Sequence, residues 1–560
     1  MNGDQSMASS GHEWWRRAVV YQLYVRSFRD HDGDGIGDLH GVTDRIDYIA
    51  ALGVDAIWLN PCYPSPNRDG GYDVADYVDI DATYGGLPAF EKLLTAAHER
   101  DIRVMMDLVP NHCSSSHPWF QEALASAPGS AARARFHFRD GRGPDGSEPP
   151  NNWRSTFSGS AWTRVTGPDG PEQWYLHSFD AAQPDFNWAN PDVAAMFDDV
   201  LTTWFDRGVD GFRIDVAYAM VKHPDLPDAP EPYDNPYMLN QPGVHDIFAR
   251  WRAIADRYGR DIALTGEVWL SPSEAVDYIR PGRLHQVFYF DLLLQPWRAQ
   301  SFRASIDGIV TNRIVSNAPN RGGSPALTLN NHDVHRSVSR YGLTAPQPMQ
   351  TDDDTVRLIR PRGRVDVELG VRRARAAALL LLALPASVYL YQGEELGLPE
   401  VLDLPDDARR DPIWFRSGGR EHGRDGSRIP LPWRAGGTSL GFSPPGSPAP
   451  WLPQPDWYRR FAVDAQQDDP ASTLAIYRAA LRARRRLFGD GDFAWLDAGR
   501  DDVLAFRAGR AVNVTVMGDE PFVPSAAWGE IVLRSHGVSP MVVEADSSAW
   551  LTGPGATTDD

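Results

Sequence analysis

Cysteine is almost missing: Cys62 and Cys113 are the only two in 560 residues. No disulfide framework can support the fold, and the chain fits a reducing compartment, with the cytoplasm as the default location. Each cysteine follows a strand-like run and neither has metal-ligand spacing, so both are expected to be inert thiols. The start, MNGDQSMASSGHEWWRR, lacks the charged-then-apolar pattern of a secretory signal. Long apolar runs are lacking as well. The longest, Ala376 to Leu390, is too short for a membrane span and is interrupted by Pro385, so it reads as a buried helix feeding a buried strand. Positive charge is scarce: 55 Lys and Arg face 75 Asp and Glu, a formal charge of −20. Such a chain repels phosphate backbones and anionic lipid, so neither nucleic acid nor a membrane is expected as a partner.

What is present points to a soluble globular protein of two or three domains, with 42% hydrophobic and 23% charged residues. Nineteen Trp and nineteen Tyr supply flat faces able to stack on sugar rings, although large aromatics mostly fill cores. From Val19 onward short strand-like runs alternate with longer amphipathic ones. Eight such runs begin at Val19, Asp55, Arg103, Gly211, Ile262, Val287, Ala326 and Ser387. Strand then helix, eight times over, predicts an α/β fold of the (β/α)₈ TIM barrel type, whose active site lies at the C-terminal strand ends. The crossover from Val109 to about Val193 is too long for a loop and predicts an inserted subdomain. A second Pro- and Gly-rich excursion runs from Gly397 to Trp457. After Phe488, VLAFRAG, AVNVTVMG and GEIVLRS read as an antiparallel β domain. The expected division is barrel over 12–110 and 188–487, inserted subdomain over 111–187, and C-terminal β domain over 488–560.

In GFRIDV, side chains alternate, so Arg213 and Asp215 point one way while Phe212, Ile214 and Val216 point the other. A guanidinium beside a carboxylate lowers its pKa, and an ionised carboxylate in a partly dry site is a usable nucleophile. A structural ion pair accounts for the pattern equally well. Other strands end in polar groups too: Asp107 with Asn111 and His112, Glu267, and His332 with Asp333. Three carboxylates and two histidines converging on one rim are costly to bury unless they are used.

DLVPNH (Asp107–His112), GFRIDVAYAM (Gly211–Met220), GEVW (Gly266–Trp269) and NNHD (Asn330–Asp333) resemble the four signature regions of the α-amylase family, glycoside hydrolase family 13. QPDFNW, YQLYVRSF and YQGEELG stand in the order that family would have them. The group resembled most is that of the α-glucosidases and oligo-1,6-glucosidases. The resemblance implies a retaining, exo-acting α-glucosidase that removes terminal glucose from a short α-glucoside or oligosaccharide without an organic cofactor. It makes Asp215 the nucleophile, Glu267 the general acid/base and Asp333 the carboxylate that stabilises the transition state. Arg213 is expected to keep Asp215 ionised, and His112 and His332 to donate to sugar hydroxyls. Asp73 is expected to grip the glucose at the blind end with Tyr72 as stacking platform, and Arg428 to pair with Asp73. PDDARRDPIWFRSGG, upstream of Arg428, departs from the family pattern. A transglucosylase or isomerase of the same superfamily, such as a trehalose synthase or sucrose isomerase, would use the same residues. A catalytically dead binding barrel is the rival outside enzymes.

Asp30, Asp32, Asp34, Ile36 through its carbonyl, and Asp38 form an EF-hand-like run that can wrap a hard cation, and a solvated acidic turn is the plain alternative. The family resemblance implies structural Ca²⁺ here, or Mg²⁺ in its place.

Overall fold

The described residues of this computed structural model are 13–167, 170–231, 235–316, 322–346, 359–488 and 493–553. In chain order the strands are β1 (Val19–Leu23), β2 (Ala56–Leu59), β3 (Arg103–Leu108), β4 (Phe138–Arg139), β5 (Trp162–Gly167), β6 (Gly170–Leu176), β7 (Gly211–Ile214), β8 (Ala263–Gly266), β9 (Gln286–Phe288), β10 (Ser324–Thr328), β11 (Leu343–Pro346), β12 (Gly363–Val365) and β13 (Ser387–Tyr391). Eight of them close a parallel barrel in the order β1-β2-β3-β7-β8-β9-β10-β13, sealed where Val19 pairs with Val388. All eight predicted strands are therefore barrel strands.

Alternation along these strands sorts the side chains into two cores. Phe212 and Ile214 of β7 join Val104, Leu108, Leu264 and Val388 in the layer between barrel and helices. Val20, Trp58, Met105, Phe288 and Tyr389 fill the barrel's interior. Arg213 shares the interior side, as its alternation predicts. Gly211 opens β7 because the strands run tight there: a Cβ would sit 2.4 Å from the Ala263 carbonyl oxygen.

The crossover helices follow apolar periodicity and are capped by short polar residues. Pro191–Asp206 starts with Asn190 accepting from the Asp192 N–H and proline in the first turn. Val367–Ala383 is capped by Asp366 and is buried on all sides from Ala376 to Ala383. A helix apolar all round must be covered all round. The barrel covers one side, and the other receives the C-terminal sheet, whose Trp550 donates from Nε1 to the Leu379 carbonyl at 3.0 Å.

That sheet is antiparallel, in the order β14-β15-β16-β18-β17, built from β14 (Phe493–Leu496), β15 (Val503–Ala508), β16 (Ala511–Val516), β17 (Glu530–Arg534) and β18 (Ser547–Thr552). Between β3 and helix Pro191–Asp206 the long crossover folds into two short helices and a three-stranded sheet, β4-β6-β5. The hairpin of β11 and β12 lies outside the eightfold pattern read from the sequence.

Candidate active site

Asp215 follows directly on β7, and its N–H extends the ladder to the Leu108 carbonyl at 2.8 Å. Arg213 lies below it, 2% exposed, and serves three carboxylates. Nη1 meets Asp107 at 2.9 Å and Asp215 at 2.7 Å, while Nη2 meets Glu267 at 2.6 Å. Arg213 thus pairs with Asp215 and divides its charge among two further carboxylates. Burial pushes the Asp215 carboxyl well above its ordinary range, Arg213 pulls it down, and Glu267 and Asp107 add to the rise. Burial likewise raises Asp107 to about 6 against the pull of Arg213.

Glu267 accepts from the Val216 N–H at 3.0 Å through Oε2 and from Trp269 Nε1 at 2.9 Å through Oε1. Val216 turns its N–H to that carboxylate from a left-handed conformation, φ 35°. A β-branched residue is strained there, and such strain gathers at functional sites.

The third carboxylate sits in a different field. Asp333 Oδ1 receives Arg424 Nη1 at 3.1 Å and Arg428 Nη2 at 2.9 Å. Burial acts to raise its carboxyl, but the cations around it prevail and hold it well below the usual carboxylate range. His332 is pushed far down by burial and is neutral at pH 7. The Gln22 amide Nε2 lies 2.8 Å from its Nδ1 and also donates to Asn60, which assigns the ring proton to Nε2, 3.3 Å from Asp333. Tyr72 stacks on His332 with ring centroids 5.2 Å apart and planes 4° apart, and its hydroxyl donates to Asp107 at 2.8 Å. His112, lowered to about 4 by burial, lies between the amides of Asn111 and Gln183.

Asp73 and Arg428 do not form the expected pair. Asp73 is fully buried and accepts from Ser65 Oγ and the N–H groups of Arg68 and Asp69, so it holds its own loop together. Asp69 takes the place assigned to it: Oδ1 meets Arg424 Nη2 at 2.6 Å and Oδ2 accepts from Gln183 at 3.1 Å. Burial raises Asp69 to about 6 against the pull of Arg424. The turn from Asp69 to Tyr72 passes through Gly70 and Gly71 at φ 57° and 101°, which sends Asp69 and Tyr72 one way and Asp73 the other. Arg424 lies four residues before Arg428, and Arg428 instead donates to Asp333 and the His332 carbonyl. Sequence reasoning also missed Lys222. Its ammonium is fully buried, 3.0 Å from Asp185 and 2.8 Å from Asn111 Oδ1, tying the loop after the nucleophile to the segment carrying His112.

In the acidic loop, carboxylate oxygens of Asp30, Asp32 and Asp38 lie within 4.8 Å of one another. Asp30 and Asp38 are buried and Asp32 is exposed, and three carboxylate oxygens so close together suit Ca²⁺ or Mg²⁺. Asp34 is not part of that group: it is exposed, and its Oδ1 accepts from the Ile36 N–H at 2.7 Å.

A closed (β/α)₈ barrel with three carboxylates on its C-terminal rim has the layout of a glycoside-cleaving enzyme. The profile described as the catalytic domain of alpha amylase matches residues 22–489, and the chain belongs to the alpha-amylase family. It is 38% identical over 506 residues to a probable alpha-glucosidase of Rhizobium meliloti, covering 86% of this chain and 84% of that protein. An oligo-1,6-glucosidase of Parageobacillus thermoglucosidasius is 37% identical over 412 residues, 69% of this chain and 66% of that one. Among solved structures, an alpha-glucosyl transfer enzyme superposes with a TM-score of 0.82 at 33% identity, over 96% of this chain and 99% of the other. An isomaltulose synthase from Erwinia rhapontici gives 0.81 at 29%, over 98% of this chain and 100% of the other.

Proposed function

We propose that the protein is a retaining, exo-acting α-glucosidase that removes the terminal non-reducing glucose of short α-glucosides. The observation that carries this reading is the Asp69–Arg424 pair behind the carboxylates, which would end the glucose pocket one sugar deep. The reaction needs Glu267 in its acid form and Asp215 as the anion beside Arg213. The Asp215 oxygen attacks the anomeric carbon, and the bond to the leaving oxygen breaks as Glu267 protonates that oxygen. Glu267 then takes a proton from water, whose oxygen displaces Asp215 and frees glucose. Asp333, held ionised, stabilises the positive charge that develops on the ring, and neutral His332 can donate from Nε2 to a sugar hydroxyl. Two inversions return the original configuration. Purified protein should therefore release α-glucose first, seen by proton NMR before mutarotation; initial β-glucose would contradict Asp215 as nucleophile, and release of maltose from starch would contradict the closed end. Asp215→Asn should abolish turnover while the melting temperature stays near that of the parent.

Transfer of glucose to a second sugar is the alternative, favoured by the likeness to the glucosyl transfer enzyme and the isomaltulose synthase. Sucrose turnover decides it: free glucose with fructose marks hydrolysis, and a new disaccharide marks transfer. Asp30, Asp32 and Asp38 would hold a structural Ca²⁺ or Mg²⁺ outside the chemistry. The buried free thiols Cys62 and Cys113 support a cytoplasmic location.

A further inference from the structure

Beside the Asp69–Arg424 pair lies a cleft of about 620 Å³, lined by Gly70, next to Asp69, and by Asp411, which holds Arg424. Asp411 and Arg428 line it, whereas Asp69, Asp215, Glu267 and Asp333 do not. Arg410 to Arg416, within the segment that departs from the family pattern, contribute one side.

The charges in this cleft do not balance. Asp411 is occupied by Arg424, at 2.7 and 3.0 Å. Asp425 accepts the backbone N–H groups of Arg410 and Asp411, and Asp180 lies 3.6 Å from Arg416. Arg26, Arg68 and Arg410 remain, with no carboxylate within ion-pair distance among the described residues. Arg26 donates to Asn67 Oδ1 at 2.9 Å, and Arg410 to two backbone carbonyls at 2.8 and 2.9 Å. The Arg68 guanidinium has no polar contact among the described residues. Tyr24, 1% exposed, has a buried hydroxyl with no hydrogen-bond partner. That hydroxyl faces Gly70, another residue of the cleft, where a Cβ would come within 2.4 Å of it. Asp425, held only by N–H groups, is the one lining carboxylate without a cation partner among the described residues, so the three guanidiniums outnumber it and make a local reversal of sign on a chain of charge −20.

We propose that this cleft binds a phosphate group, free or carried on a sugar. Guanidinium forks match phosphate oxygens in pairs. Pro412, Trp451 and the 62% exposed Phe415 form an apolar flank beside the cations, able to take the body of a phosphorylated sugar.

Isothermal titration of the full-length protein with inorganic phosphate and with glucose 6-phosphate tests this, at constant ionic strength set with sodium chloride. Both should bind, and Arg68→Ala/Arg410→Ala should weaken them by about tenfold or more. That variant's kcat and KM on a chromogenic α-glucoside should match the parent's, since neither side chain belongs to the reaction site. Equal affinities for the two probes would assign the site to phosphate alone, and tighter binding of glucose 6-phosphate would add the apolar flank; each upholds the site. Absence of binding, undiminished binding by the variant, or loss of phosphate binding when the glucose pocket is saturated with glucose would each overturn it.

Discussion

Asp69 and Asp73 are the same side chain four positions apart, both buried, with different partners and therefore different expected failures. Asp69→Asn weakens the grip on Arg424 and on a bound glucose, and should lower kcat/KM by about ten- to a hundredfold with little change in folding. Asp73→Ala strands the N–H groups of Arg68 and Asp69, and should cost about 1–3 kcal/mol in a urea melt. If Asp73→Ala instead kept its stability and lost affinity for substrate, the reassignment to Asp69 would fail. Lys222 offers a sharper case, because Lys222→Met leaves Asp185 charged and buried without its cation. Such a change typically destabilises by about 3–5 kcal/mol, and removing the second charge as well, in Lys222→Met/Asp185→Asn, should recover part of the loss in the same melt. Neither Asp69 nor Lys222 could be picked out by residue type alone. Two glycines with positive φ decide which aspartate meets Arg424, and the partners of Lys222 lie 37 and 111 positions before it in the chain.

The loop after β13, within YQGEELGLPE, carries Glu394, Glu395 and Glu400, all buried and unused by the reaction. Burial pushes Glu394 up to about 7 and Glu400 up to about 8. In the unfolded chain such carboxyls titrate near about 4.3. The folded protein therefore binds more protons than the unfolded one between those values, and stability falls as pH rises through that window, levelling off above about 8. Buried histidines such as His112 and His332, whose pKa is lowered, act in the opposite sense below about 6.5. The decline should therefore show in melting temperatures from pH 7 to 9, where those imidazoles are neutral in both states; Glu400→Gln should flatten it, and a parent and variant falling alike would refute it. At this scale legibility follows periodicity. The barrel strands could be read because one face packs on helices and the other on the interior, and a strand buried on both faces stands out from its flanks. The sheet of the insertion could not. Its first strand, β4, has two residues, and its turns are rich in glycine, so no alternation builds up. The carboxylates at the barrel rim were legible because each ends a readable strand, whereas Arg424 sits in a loop with no period at all.

The whole molecule depends on loops as much as on strands. If Asp30, Asp32 and Asp38 hold a cation, chelation with EDTA should lower the melting temperature, and added Ca²⁺ should restore it by mass action. A melting curve indifferent to both would leave only an acidic turn. The Asp69–Arg424 contact joins residues 355 positions apart, one beyond β2 and the other beyond β13. Asp215, Glu267 and Asp333 all precede Arg424 on the chain. A ribosome that has just delivered β13 has made all three carboxylates and every barrel strand, yet not the arginine that meets Asp69. On the proposed reading, whether the catalyst nibbles chain tips or bites at the middle is set by the loop after β13, so the appetite of this barrel can be changed without touching its chemistry.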